Sequence, residues 1–183
     1  MAVVFHPKEF AYEVRPSPVG PLLLVESSQG PAAVSFLNRE DEADGAVLHF
    51  RRRYPDSQFA AGSCAELAAQ LDAYFAGPVV PPLAPPEWIA GSLFERAVWK
   101  EIATIPFGAR RSYGDIARTL GDLALSRAVG VATGRNPIAI LVPCHRVVGS
   151  DGSLTGYGGG LERKSWLLRH EEPRLFPDPP LRS

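Results

Sequence analysis

Five prolines fall within nine residues, in the stretch PVVPPLAPP at 78–86. Proline locks φ at about −65° and carries no amide hydrogen, so neither a helix nor the interior of a sheet runs through such a segment. The chain must therefore fold on either side of it. The stretch 78–86 reads as a linker that closes an N-terminal unit, residues 1–86. A second unit follows at 87–171, with a tail at 172–183. The prolines also interrupt the most apolar part of the chain, and no run is long enough to cross a bilayer. The start, MAVVFHPKEF, lacks a basic start followed by a long apolar block and does not read as a secretory signal. With Cys64 and Cys144 as the only cysteines, no disulfide framework is available, and a cytoplasmic, reducing location is expected.

The two units differ in pattern. In the first, LLLVES (22–27) and AAVSFL (32–37) are apolar, β-branched runs separated by a turn, SQGP, and they predict a hairpin. Residues 42–53 suit a helix, as do residues 64–77, whose stripe of Leu67, Leu71, Tyr74 and Phe75 is closed by Gly77 and Pro78. In the second unit, Ser92 and Glu95 form a capping box opening SLFERAVWKEIATI, with Leu93, Val98, Ile102 and Ile105 on or near one face. Ser112 and Asp115 start a short helix, YGDIARTLG, and Ser126 is placed to cap another, RAVGVATG. These helices, 113–120 and 127–134, have the spacing of a helix-turn-helix, although an αα-corner in a helical domain has the same spacing. A final helix, LERKSWLLRHE, buries Leu161, Trp166, Leu167 and His170 in part. The expected class is α+β: a small N-terminal β-sheet/helix domain, then a mostly helical domain with a helix-turn-helix.

Charge is unevenly shared. Residues 1–86 carry six Lys/Arg against ten Asp/Glu, whereas residues 87–171 carry eleven against eight. The basic half uses Arg far more than Lys, and Arg suits bidentate phosphate contacts. A surplus of three fits a nucleic-acid surface and also an ordinary solvated one.

Cys144 stands between Pro143 and His145. Pro143 blocks a helix from continuing, so Cys144 is expected to begin a turn or helix with free N–H groups nearby. Such groups and an adjacent imidazole favour the thiolate, the form that attacks electrophiles. The alternative is a small buried hydrophobe, as Cys64 is within its apolar stripe. Metal chemistry fails on residue supply, because the histidines and cysteines offer no CxxC or HxxxH pair. The glycines at 156 and 158–160 match no phosphate loop. A thiol hydrolase remains chemically open, but sequence-adjacent Cys and His side chains point apart, which favours contact through water.

The segment PCHRVV (143–148), with GSLTGYGGGLERKSWLLRHE (152–171), RSYGDIARTLG and RAVGVATGRNP upstream, resembles the O6-alkylguanine-DNA alkyltransferase family. The likeness runs from about Ser92 to Glu171 with every motif in order; residues 1–86 match in outline only. The resemblance implies that Cys144 accepts the alkyl group, that His145 acts as base through water, and that Glu171 orients the imidazole. It implies that Asn136 ties the preceding turn to this network and that Tyr113 bonds the flipped base at N3 and protonates departing guanine. The backbone carbonyls of Cys144 and Val147 would accept from the exocyclic amine, Tyr157 would wall the pocket, and the N–H of Gly158 would face O6. Gly158 and Ala139 depart from residues common in the family and imply a roomier pocket.

The resemblance further implies double-stranded DNA as partner, with O6-alkylguanine, and O4-alkylthymine as well, extruded from the stack. The helix 127–134 would enter the minor groove, Arg127 would fill the vacated stack, and the small residues Ala128, Gly130 and Ala132 would allow close approach. The reaction would be irreversible and stoichiometric, carried out by a monomer with no cofactor and no metal. Two other readings are a non-catalytic binder of alkylated guanine, against which the presence of Cys144 stands, and a helix-turn-helix regulator.

Overall fold

Strand β2 (Leu22–Ser27) is apolar over four consecutive residues, and all four are buried. A strand wet on one face would alternate; a continuous run marks one covered on both faces. In the computed structural model, which describes residues 9–77 and 89–172, β2 lies inside a four-stranded sheet. It pairs antiparallel with β1 (Glu9–Arg15) and with β3 (Gly30–Phe36), while β4 (Gln58–Ala61) runs parallel to β1 at the opposite edge from β3. The hairpin expected over 22–37 is present, turned by Gly30 at φ +106°, where a side chain would be strained. β1 and β4 were not expected. EFAYEVR shows no apolar run, since Phe10 is its only buried residue, and pairing on both edges makes it a strand. The linker at 78–86, and all of the tail except Glu172, lie outside the described residues.

Helix α1 (Ala43–Arg51) sends Val47 and Phe50 inward, and Phe50 joins Phe10, Tyr54 and Phe59 in an aromatic cluster with ring centroids 4.7–5.7 Å apart. Helix α2 (Ala65–Ala76) buries Leu67, Leu71 and Tyr74 as its stripe predicts.

The predicted capping box at Ser92 forms, and the helix start expected at Ser112 and Asp115 is a capping box as well. Ser92 Oγ accepts from Glu95 N at 3.1 Å and opens α3 (Leu93–Ile102); Ser112 Oγ accepts from Asp115 N at 3.0 Å and opens α4 (Tyr113–Thr119). Leu93 is a correction: it is 80% exposed, while Val98, Trp99 and Ile102 form the inward face. Five residues separate Leu93 from Val98, which turns it about 140° round the axis. Ser126 is a second correction. It is the first residue of α5 (Ser126–Gly134), and its hydroxyl donates to Leu123 O at 2.5 Å rather than capping the helix. The turn before α5 is a 3₁₀ segment, Leu123–Leu125, capped by Asp122, whose carboxylate accepts from Ala124 N at 2.8 Å. Ala132 is buried inside the protein, and its carbonyl accepts from Trp99 Nε1 at 2.8 Å. In α6 (Leu161–His170) Trp166 and Leu167 are buried, but Leu161 is 48% exposed. Two-residue strands β5 (Arg111–Ser112) and β6 (Val147–Val148) pair in parallel and fix the segment after Cys144. The α+β class is as expected. No helix among the described residues is long and apolar enough to cross a membrane.

The two halves are stitched together by polar contacts. Val34 N donates to Pro137 O at 3.0 Å, and Ala139 N donates to Val34 O at 3.1 Å, so the edge of β3 carries a parallel bridge to residues 137–139. Ala90 N donates to Tyr54 Oη at 2.8 Å. His170 stacks on Trp166 and bonds the carbonyl of Tyr74 at 2.9 Å.

Candidate functional site

The chain between α5 and β6 holds the site. The side-chain amide nitrogen of Asn136 donates to Val142 O at 2.8 Å and Ile138 O at 3.3 Å, and its oxygen accepts from Ile138 N at 3.1 Å. One side chain thus closes the loop 136–142. Within that loop Ile140 takes φ +70°, unique for a non-glycine among the described residues and worth about 1–3 kcal/mol of strain. Pro143, at φ −80° and ψ 62°, makes an inverse γ-turn in which Cys144 N donates to Val142 O at 2.7 Å. Cys144 does begin a turn, a 3₁₀ segment over Cys144–Arg146. Its amide donates to Val142 O and also lies close enough to its own thiol to favour the thiolate, as expected from the sequence.

His145 is fully buried, and its Nε2 lies 2.7 Å from Glu171 Oε1. Glu171 is buried and saturated with donors. Tyr74 Oη donates to Oε1 at 2.9 Å, Gly108 N donates to Oε2 at 3.1 Å, and the Arg146 guanidinium donates to both oxygens at 2.8–3.1 Å. The remaining Arg146 nitrogen donates to Ile105 O at 2.5 Å. Burial pushes the Glu171 carboxyl up, but the His145 and Arg146 contacts outweigh it and hold it at about 2. Burial lowers the pKa of His145, against the pull of Glu171, so the imidazole is a neutral base whose Nε2 hydrogen faces the carboxylate. Its Nδ1 is buried and has no hydrogen-bond partner in the protein. Arg146, Tyr74 and Gly108 were not singled out in the sequence. Arg146 lies in the PCHR motif itself, whereas Tyr74 resembles any other member of an apolar stripe.

Cys144 is 6% exposed and lies on a cavity of about 190 Å³ that Asn136, Ala139, Tyr157 and Gly158 also line. Burial raises the thiol pKa; the side chains of Asn136 and Tyr157 and the charge of Lys164 draw it back. The Tyr157 hydroxyl is buried without a hydrogen bond of ordinary geometry, and the thiol is its electrostatic neighbour. Lys164, unread in the sequence, is fully buried. Its Nζ donates to Thr155 O at 3.1 Å and sits 5.9 Å from the ring centroids of both Tyr113 and Tyr157. Gly158 is exposed, and a Cβ there would meet only Gly134 O, at 3.9 Å. Val147 is buried in β6 and does not line the cavity.

Tyr113 lines a second, open groove of about 700 Å³ together with Arg127, Gly130 and Val131, and Gly156 borders both cavities. The Tyr113 hydroxyl donates to Thr155 O at 3.1 Å. Arg127 and Ala128 are exposed, and Arg127 has no ion pair among the described residues. Gly130 faces the Tyr113 ring, with its Cβ position 3.8 Å from the nearest ring carbon. A face of α5 and the thiol cavity therefore meet at the 155–157 segment. Among the described residues no group of three or more His, Cys, Asp or Glu could share a metal ion.

Residues 93–173 match the DNA binding domain of 6-O-methylguanine DNA methyltransferase, and residues 10–81 match the ribonuclease-like domain of the same proteins. The methylated-DNA–protein-cysteine methyltransferase of Methanosarcina acetivorans is 41% identical over 164 residues, covering 87% of this chain and 97% of its own. The chain belongs to this family. The protein of that name from Mycobacterium bovis is 42% identical over 172 residues, 91% of this chain and 95% of the relative. The crystal structure of Mycobacterium tuberculosis OGT in complex with DNA superposes with a TM-score of 0.71 at 38% identity, covering 89% of this chain and 92% of that one. The family likeness therefore extends over the N-terminal half, where the sequence motifs showed it in outline only.

Proposed function

We propose that the protein repairs O6-alkylguanine, and O4-alkylthymine, in double-stranded DNA by transferring the alkyl group to Cys144. The observation that carries this reading is the placement of Cys144 on a cavity wall directly before His145, which is backed by a saturated buried carboxylate. His145 Nδ1 takes the thiol proton through a water molecule, and Glu171 with Arg146 stabilises the imidazolium that results. The sulfur attacks the alkyl carbon: the S–C bond forms, the C–O6 bond breaks, and the electron pair stays on guanine. Tyr113 protonates the departing base at N3 and is reprotonated in turn, so the net change converts thiol and alkylguanine to thioether and guanine. No group in the site cleaves a thioether, so one molecule repairs one lesion.

Reaching a cavity this deep requires the nucleotide to leave the stack, at a cost of a few kcal/mol. The open groove beside α5 supports docking of that helix on DNA as the second helix of a helix-turn-helix, with Arg127 filling the vacated place and Ala128 and Gly130 against the backbone. Cys144 and Cys64 are both free thiols, which supports a reducing, cytoplasmic setting, and the protein acts as a monomer. The protein divides at the proline-rich stretch 78–86 into residues 1–86 and 87–171. Intact-protein and peptide mass spectrometry after reaction with an O6-methylguanine oligonucleotide tests the assignment. One methyl group is expected on Cys144, none on the C144A variant, and normal transfer by C64A. A methyl group on Cys64 would overturn it.

A further inference from the structure

We propose that Phe36, contributed by the N-terminal sheet, is the wall that sets how large an alkyl group the Cys144 pocket admits; the inference rests on the alkyl-transfer reading above. The bridge between Val34 and residues 137–139 carries β3 to the site, and Phe36, two residues further on, lies on the same side of the strand as Val34. Val34, Ser35 and Phe36 line the same cavity as Cys144, Tyr157 and Gly159. At about 190 Å³ the cavity is only somewhat larger than the roughly 150 Å³ that holds a benzene ring, so a purine leaves little room for its substituent.

The Phe36 ring is held on several sides. The Arg163 guanidinium lies 5.3 Å from its centroid, and Arg163 is fixed by the carbonyls of Val19 (2.8 Å), Leu37 (2.7 Å) and Gly159 (3.1 Å). Tyr157 meets the ring at 5.8 Å between centroids. A Cβ added to Gly159 would stand 2.5 Å from Phe36 Cδ2, so the ring lies directly against the backbone of the 156–160 loop. A side chain clamped in this way cannot swing aside for a bulky substituent, whereas a free surface phenylalanine could. The wall comes from the half of the chain that supplies no reacting group.

The test uses the full-length protein and oligonucleotides of one sequence carrying O6-methylguanine or O6-benzylguanine, with single-turnover rates measured at saturating protein. In F36L the benzyl-to-methyl rate ratio is expected to rise about tenfold over the parent, the scale on which pocket contacts discriminate by size. F36M gives the same rise and serves if F36L does not fold. An unchanged ratio would overturn the proposal. A lower ratio would do so too, since it would make the ring a platform for the benzyl group rather than a wall. The contact itself is read by melting temperature: G159A destabilises the parent and costs less in an F36A background, while equal costs in both backgrounds would remove the contact. Absence of any methyl on Cys144 of the parent would defeat the alkyl-transfer reading. Methyl transfer with an unmoved ratio defeats Phe36 alone.

Discussion

Replacing Glu171 with Gln changes little in shape and much in charge. The carboxylate accepts from His145, Tyr74 and Arg146 at one oxygen and from Arg146 and Gly108 at the other. An amide puts a donor where one of those acceptors stood, so one set of partners faces a like group. It also leaves the buried Arg146 guanidinium with no counter-charge. Removing one partner of a buried pair costs about 3–5 kcal/mol. The titration of the carboxyl gives a similar scale: a fall from 4.5 to about 2 corresponds to about 3 kcal/mol. The sign follows from the depressed pKa. The stabilisation is complete above pH 4.5 and is lost as pH falls towards 2. In E171Q that acid limb disappears, while the deficit remains at neutral pH.

Urea unfolding between pH 7 and pH 3 measures both effects. With m of about 2 kcal/mol/M, the midpoint of E171Q at pH 7 should lie roughly 2 M below that of the parent, and the curves should converge towards pH 3. Single-turnover transfer, measured where the variant is folded, should slow by more than its affinity for lesion DNA weakens, because the imidazolium develops as the reaction proceeds. A midpoint equal to the parent's at pH 7, with an unaltered acid limb, would refute the burial and pairing described for Glu171.

Y74F removes one donor to Glu171 but keeps the ring among Phe75, Phe107 and His170, so a loss of about 1 kcal/mol in urea unfolding is expected, and no loss would show the hydroxyl bond to be idle. R127A should slow transfer from duplex strongly while leaving transfer from the free alkylated base nearly unchanged; a duplex rate that recovers fully at saturating protein would make Arg127 a phosphate contact instead.

Features whose partners lie close in sequence were legible. The capping boxes Ser92–Glu95 and Ser112–Asp115 need only three residues of context, and the β2–β3 hairpin needs its own turn. β1 was not legible, because its strand character comes from neighbours at 22–26 and 58–61. Cys144 stood out in PCHR as a candidate nucleophile, whereas the acceptor role proposed for it and the role of Glu171 both came through resemblance; the structure joins Glu171 to His145. Arg146 and Lys164 misled in a particular way. Both counted towards the basic surplus of residues 87–171, yet both are buried, beside Glu171 and near Cys144. One unit of the surplus of three is therefore internal, and the surface of this half is less basic than its composition suggests.

The division of the chain by the linker conceals how much of the site is shared. The proposed reacting groups all lie beyond residue 112, but their settings do not. Without the N-terminal half, Glu171 loses the Tyr74 hydroxyl, Ala139 N loses Val34 O, and Arg163 loses two backbone acceptors, at Val19 and Leu37. The Ala139 amide and the Arg163 guanidinium would exchange these carbonyls for water, and Glu171 would keep only His145, Arg146 and Gly108. The loop 136–142 would keep its Asn136 clamp but lose the strand that it lies against, while still carrying the strained Ile140. The N-terminal half, which supplies none of the proposed reacting groups, thus holds the carboxylate, the loop 136–142 and the outer wall of the cavity in place.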